Sequence, residues 1–163
     1  MFRACVVNFL LIAAFTALGL AQEADQSTAS CNLDDGRQVY IRYNPVTTKT
    51  DKAQNGKPWA PGGAPMTLFT EAQLTFGGSS IPAGAYTVYP IPGKDKWTLV
   101  VNKNVAPHSA YDEKQDIARS AIETDQVNQP SDSLEVAFAH VGDKCTLRIY
   151  FGKAASFAPF TAK

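Results

Sequence analysis

The chain has 163 residues, of which 45% are apolar and 18% are charged, and its 15 basic and 15 acidic residues give a net charge of zero. These proportions are typical of one compact domain and exclude a disordered tail or a coiled coil. The balanced charge supplies no basic field to hold phosphates, so a nucleic-acid partner bound electrostatically is not expected.

The first 21 residues have the features of a secretion signal peptide. Arg3 supplies a positive start, an apolar run follows over residues 6–20, and small residues precede a cleavage point between Ala21 and Gln22. A cut after Gly19 is the alternative position. An uncleaved membrane anchor is the competing interpretation, because the run approaches the length of a bilayer span. Cleavage is favoured because no basic stop follows, and it predicts a secreted or periplasmic protein without a membrane span.

Cleavage of the signal removes Cys5 and leaves Cys31 and Cys145, which have one possible pairing in an oxidising compartment. The two cysteines are 114 positions apart, and in the chain-entropy model a disulfide closing such a loop contributes about 4–5 kcal/mol. We therefore predict a disulfide between them. Two alternatives stay open. In the first, both thiols are free and buried as small apolar groups. In the second, Cys31 is lipidated, because residues 29–31 look like the end of a lipobox.

The mature chain divides into an N-terminal arm and one folded domain. The arm comprises residues 22–36, includes Cys31, and is expected to be mobile over its polar part, residues 22–30. From residue 37 to residue 163, apolar and polar side chains alternate, which is typical of half-buried β-strands. Strands are predicted over residues 37–43, 66–76, 85–91, 97–102, 117–123, 133–140, 144–151 and 156–161.

Short strands between turns rich in glycine and proline predict an all-β fold. We expect a single-domain antiparallel β-sandwich of about eight strands, with jelly-roll or immunoglobulin-like order. A partly open β-barrel is the alternative.

The best-defined unit is a hairpin across Gly142 and Asp143, whose Gly-X loop suits a type II′ turn. A two-residue loop at this position sets a strand register in which apolar residues lie opposite apolar residues. A slip by one residue would place these partners on opposite faces of the sheet. His140 is expected to face the core beside Cys145 as a structural histidine. The other pairs expected are Phe138 with Leu147, Val136 with Ile149, and Leu134 with Phe151.

Two long segments without strand character, residues 44–65 and 103–116, are the places where binding residues are expected. The candidate ligand-binding residues in them are Trp59, His108, Tyr111 and Asp112. Trp59 has no strand pattern to explain it, and a lid over one open end of the core is its alternative role. Trp97 begins an alternating strand, so core packing is expected for it.

No catalytic constellation stands out, so no catalytic residue is assigned. The sequence has two histidines and lacks the Gly-x-Ser-x-Gly motif that presents a nucleophilic serine. Cys-x-x-Cys and His-Glu-x-x-His are absent, so neither a metal nor another cofactor is expected. The acidic residues on loops lack the spacing of an EF-hand calcium site and are expected to lie in solvated turns. If the thiols are free, a copper or zinc site remains the alternative, with the ligands Cys31, Met66, His140 and Cys145.

Several motifs between residues 57 and 161 resemble a known family, the domain-of-unknown-function family 2911. They read Leu74-Thr75-Phe76-Gly77-Gly78, Ile81-Pro82-Ala83-Gly84-Ala85-Tyr86, Trp97-Thr98-Leu99-Val100-Val101-Asn102, Tyr111-Asp112-Glu113-Lys114-Gln115-Asp116 and Phe157-Ala158-Pro159-Phe160-Thr161. The resemblance implies a secreted bacterial protein with a β-rich fold, and it implies no established activity.

Three hypotheses for function follow. The favoured one is an exported, non-catalytic β-sandwich protein that binds a carbohydrate, a peptide or an envelope component through its two long loops. The second is an exported hydrolase that uses loop carboxylates such as Asp112 and Glu113. The third is a structural component of the cell envelope, for which stable co-purification with a partner is the expected sign.

Overall fold

A computed structural model describes residues 25–107 and 109–163. The predicted signal peptide and His108 lie outside these residues. The fold is all-β and antiparallel, as predicted. Its strands are β1 (Ser27–Asn32), β2 (Gln38–Tyr43), β3 (Met66–Thr70), β4 (Leu74–Phe76), β5 (Ser79–Ile81), β6 (Gly84–Ile91), β7 (Trp97–Asn102), β8 (Asp116–Val141) and β9 (Lys144–Ala162). Two short 3₁₀ turns span Pro61–Gly63 and Glu113–Gln115. Within the described ranges, no helix has the length and hydropathy needed to span a membrane.

The nine strands form one sheet in the order β1-β2-β3-β6-β7-β8-β9-β4-β5. β8 joins the two halves of this sheet, because its first part pairs with β7 and the rest pairs with β9. Buried apolar side chains from both halves belong to one core cluster. The sheet therefore folds over on itself and encloses a single core.

β8 and β9 are 26 and 19 residues long, and each contains two of the predicted short strands. Their pairing shifts register between Gln126 and Ser131 and again between Ser131 and Glu135. Across from these shifts, Gly152 adopts a φ of 59°, a conformation that glycine accepts at little steric cost. The extra residues on β8 form bulges, which bend a strand without ending it. The sequence pattern therefore predicted separate strands where the chain has bends.

The alternation over residues 66–76 predicted one strand, and the structure divides it into β3 and β4. All the apolar positions of the pattern stay buried, including Ala72 between the two strands. The Thr70 hydroxyl accepts a hydrogen bond from the backbone N–H of Ala72 at 3.2 Å and donates to its carbonyl at 2.7 Å. This local turn takes the chain from one half of the sheet to the other, because β3 lies beside β6 and β4 lies beside β9.

The predicted mobile arm instead contains strand β1. It pairs with β2 along its whole length, from Ser27 opposite Tyr43 to Asn32 opposite Gln38. Only one side chain of β1, that of Cys31, is fully buried. The sequence pattern did not predict β1, because it is a polar edge strand with a single buried side chain. The folded unit therefore begins before residue 37.

The predicted disulfide between Cys31 and Cys145 is present and joins β1 to β9. Both cysteines are buried, at 3% and 1% exposure. Because the two sulfur atoms are bonded to each other, they are neither free thiols nor metal ligands, and Cys31 carries no lipid.

The hairpin across Gly142 has the predicted two-residue loop, with Val141 opposite Lys144 and a φ of 59° at Gly142. The predicted register holds only as far as Glu135 opposite Tyr150, however, where the first register shift follows. The expected pair of Leu134 with Phe151 is replaced by a hydrogen bond from the Leu134 backbone N–H to the Val46 carbonyl at 2.8 Å. The segment after β2 runs beside β8 at this point and takes that partner. The predicted pairs that form are Val136 with Ile149, Phe138 with Leu147, and His140 with Cys145.

The expectation that His140 faces the core is wrong. Its side chain is 30% exposed and lies beside the Gly142 turn, although its cross-strand partner Cys145 is buried. Its Nε2 atom is 2.6 Å from the Gly142 carbonyl oxygen and 3.8 Å from a carboxylate oxygen of Asp34. Trp97 is buried in the core, as predicted.

Candidate functional site

The two long loops meet beside the outward face of β6 and leave a groove of about 380 Å³ between them. One wall comes from residues 58–65 and the other from residues 109–111. Every described residue that lines the groove is uncharged. The principal side chains are those of Pro58, Pro65, Tyr89, Ser109 and Tyr111. This groove therefore combines aromatic and proline surfaces with few polar groups, a composition typical of ligand sites.

Two tyrosine rings form the aromatic part of the groove. The ring centroids of Tyr89 and Tyr111 are 5.0 Å apart with an interplanar angle of 64°, an edge-to-face arrangement. Tyr89 is 4% exposed because the loops cover it. The Tyr111 hydroxyl donates a hydrogen bond of 2.6 Å to Asp116. Burial raises the pKa of both phenols, and the hydrogen bond to Asp116 raises the pKa of Tyr111 further.

A buried amide holds the 103–116 loop in place. Asn102 is 1% exposed, and its Nδ2 donates to the Asp116 carboxylate and to the Asp112 carbonyl, each at 2.8 Å. Its Oδ1 accepts from the backbone N–H of Asn104 at 2.9 Å. Since Asp116 also binds the Tyr111 hydroxyl, this network fixes Tyr111 at the groove wall. Asn102 was not predicted as a site residue, although a polar residue at the end of a buried apolar strand was the available signal.

The carboxylate of Asp51 organises the other loop. Its Oδ1 accepts from the backbone N–H of Lys52 at 2.6 Å and from the Trp59 indole N–H at 3.3 Å. Its Oδ2 accepts from the backbone N–H of Gly62 at 2.7 Å. The Trp59 backbone N–H also bonds to the Pro90 carbonyl at 2.8 Å, which attaches the loop to β6. Asp51 was likewise not predicted, because its partners lie along an irregular loop.

Trp59 is 4% exposed and covers one end of the core. Its ring centroid lies 4.7 Å from that of Phe151 and 6.4 Å from that of Trp97. This burial matches the alternative role of a lid. One part of Trp59 still lines a second cavity of about 420 Å³ that residues 51–60 form, here called the lysine cavity because Lys52 and Lys57 line it.

The candidate residues that the structure describes do not converge on one cavity. Tyr111 lines the groove and Trp59 lines the lysine cavity, on the two sides of residues 58–60. Asp112 is not among the residues that line either cavity, and its Oδ1 accepts from the backbone N–H of Lys114 at 3.0 Å. His108 lies outside the described residues. Among residues 25–107 and 109–163, no cluster of three or more His, Cys, Asp or Glu side chains is placed to hold a metal ion.

The raised pKa of Tyr111 predicts a specific loss of stability at alkaline pH. The folded state holds the phenol proton more tightly than the unfolded state, so stability falls as pH rises above the ordinary tyrosine value of 10.0. We expect Tyr111→Phe to lower the free energy of unfolding by about 1.5 kcal/mol at neutral pH, through the lost hydrogen bond to a carboxylate. This deficit should shrink by up to about 1.4 kcal/mol per pH unit above pH 10.

Urea unfolding of the wild type and Tyr111→Phe at neutral pH and near pH 11 measures this difference. The wild type serves as the reference at each pH, because the raised pKa values of Tyr86 and Tyr89 affect both proteins. A deficit that stays constant across this range would contradict the assignment of the raised pKa to Tyr111.

Comparison with known proteins gives one match. The family model described as "Protein of unknown function (DUF2911)" matches residues 25–158, which include both loops and the disulfide. No curated protein and no solved structure matches the chain. Since the match covers most of the sequence, the chain belongs to the DUF2911 family of proteins of unknown function.

Proposed function

We propose that this protein is an exported, non-catalytic binding domain that holds a carbohydrate in the groove between its two long loops. The observation that carries the proposal is the groove itself, in which Tyr89 and Tyr111 meet the prolines of the opposite wall. Sugar rings present apolar C–H faces that pack on aromatic rings. Their hydroxyl groups can pair with the Ser109 hydroxyl and with backbone groups that line the groove.

The rigidity of both loops supports a binding role. Asp51 makes three hydrogen bonds within one loop, and Asn102 makes three to the other. A wall that is ordered before the ligand arrives loses little conformational entropy on binding. The groove is therefore suited to an uncharged sugar ring that gains its affinity from fit.

A binding role has more support than hydrolysis because the loop carboxylates have structural partners. Asp112 accepts a backbone hydrogen bond at the start of the 3₁₀ turn, and Glu113 pairs with Arg119 at 2.5 Å. The hydrolase alternative predicts that Asp112→Ala abolishes an activity found by broad substrate screening. Equal activity in the wild type and the variant would dismiss that site.

Export is part of the proposal. The disulfide supports it, since such bonds persist in oxidising compartments, and so does the signal pattern of residues 1–21. The intact mass of the protein recovered from culture is expected to match a chain that begins at Gln22 and contains one disulfide. A mass that retains residues 1–21 would contradict cleavage.

The binding test uses calorimetry with a panel of neutral and acidic oligosaccharides and peptidoglycan fragments. We expect binding by the wild type and at least a tenfold loss of affinity in Tyr111→Ala. Tyr40→Ala is the matched control, because Tyr40 stacks on Phe69 on β2 and β3 and does not line the groove. No binding to any panel member at millimolar concentration would contradict the proposal, and so would equal affinity in the wild type and Tyr111→Ala.

A further inference from the structure

We infer that the preferred ligand is an acidic oligosaccharide, with one ring in the groove and a carboxylate of a neighbouring ring in the lysine cavity. This inference rests on the proposed carbohydrate function and adds the charge of the ligand to it. Three features carry it: the two cavities adjoin, the lysine cavity has unneutralised positive charge, and its surface contains an aromatic side chain.

The two cavities are neighbours along the same loop. Pro58 and Ala60 line both, so the groove and the lysine cavity lie on the two sides of a short ridge. Their volumes, about 380 and about 420 Å³, are each in the range of small-molecule sites. A chain of linked sugar rings that crosses this ridge would occupy both cavities, whereas a single ring would occupy one.

The lysine cavity carries a net positive charge because two lysines and one aspartate line it. Both oxygens of Asp51 accept hydrogen bonds from the loop, and these bonds stabilise the carboxylate where it is. Lys52 and Lys57 are exposed, and neither is in an ion pair within the described residues. By contrast, Arg37 and Arg119 are paired with carboxylates. Two exposed ammonium groups against one carboxylate leave the cavity with a net positive charge, which favours an anion.

The remaining groups of the lysine cavity suit a sugar that carries the anion. Trp59 and Pro58 supply apolar surface, and the Gln54 amide supplies both a donor and an acceptor for hydroxyl groups. The loop is held to the end of β6 by the bond from the Gly56 N–H to the Pro92 carbonyl at 2.7 Å. The cavity is therefore ordered before a ligand binds, and the lysines select the charge of that ligand.

The experiment compares two ligands that differ only in charge, a galacturonic acid oligomer and its methyl ester. Calorimetry is expected to show at least tenfold tighter binding of the acid form by the wild type, with an advantage that shrinks as salt is added. The double variant Lys52→Glu/Lys57→Glu should bind the acid form at least tenfold more weakly than the wild type and should lose the preference for the acid form over the ester. Both side chains are exposed, so the thermal midpoint should match that of the wild type.

Lys144→Glu is the matched control. It makes one Lys-to-Glu change, half the charge change of the double variant, at the turn of the β8–β9 hairpin, and its affinity for the acid form should stay within twofold of the wild type. Equal wild-type affinity for acid and ester, or an unchanged affinity in the double lysine variant, would overturn the inference and leave the carbohydrate function standing. Absence of binding to both forms and to the rest of the panel would overturn the proposed function as well.

Discussion

Replacement of both Cys31 and Cys145 by serine is expected to lower the free energy of unfolding by about 4–5 kcal/mol and the thermal midpoint by roughly 10–20 °C. The bond closes a loop with a sequence separation of 114 and attaches the edge strand β1 to β9. Without it, the unfolded chain gains conformational freedom. The edge strand then keeps only its pairing with β2 and its packing against β8. This loss is a large fraction of the stability of a domain of this size.

Thermal and urea unfolding of the double serine variant measure this effect. The reduced wild type is the control, because it lacks the bond and keeps the native sulfur atoms. Hydrogen exchange should show the amides of β1 losing protection before those of β6 and β7, which have partners on both sides. A midpoint that moves by less than about 2 °C would contradict the stabilising role of the bond.

Trp59→Ala is expected to lower the free energy of unfolding by about 3–5 kcal/mol. The indole is buried against Phe151 and Trp97, and its removal opens a cavity at the end of the core that Trp59 covers. The Asp51 carboxylate also loses the hydrogen bond of 3.3 Å that it accepts from the indole N–H. Trp59→Phe should cost less, because a ring still fills part of the space while the hydrogen bond is lost.

Equilibrium unfolding in urea checks this prediction, with Val105→Ala as the control. Val105 is apolar and 48% exposed, so its truncation should change the free energy of unfolding by less than about 0.5 kcal/mol. If Trp59→Ala leaves stability unchanged and abolishes sugar binding, Trp59 is a ligand residue and its role as a lid is wrong.

The inner strands were predictable because each has at least one complete buried face, and β6 and β7 are buried on both faces. β2, β6 and β7 were found in this way, and so was the hairpin at Gly142. The edge strands β1 and β5 were not predicted, because few of their side chains are buried and their pairing depends on backbone bonds. The break between β3 and β4 was hidden for the opposite reason, since burial continues through Ala72 while the backbone leaves the sheet.

The two loops that border the cavities were predictable, and the groups that hold these loops in place were not. The absence of a strand pattern identified both loops, and Trp59 and Tyr111 line separate cavities. The roles of Asp51 and Asn102 depend on which backbone and side-chain donors come within hydrogen-bond distance after folding. Residue spacing carries little information on such contacts in irregular loops, because these segments have no periodicity.

A titration of the ¹⁵N-labelled protein with the galacturonic acid oligomer, followed by amide resonances, tests the binding role of the groove most directly. The amides of Gly63, Ser109, Ala110 and Tyr111 are expected to shift together and to saturate, while those near Gly142 stay unmoved. Shifts that cluster away from the groove, or no shifts at millimolar oligomer, would contradict a carbohydrate site between the two loops.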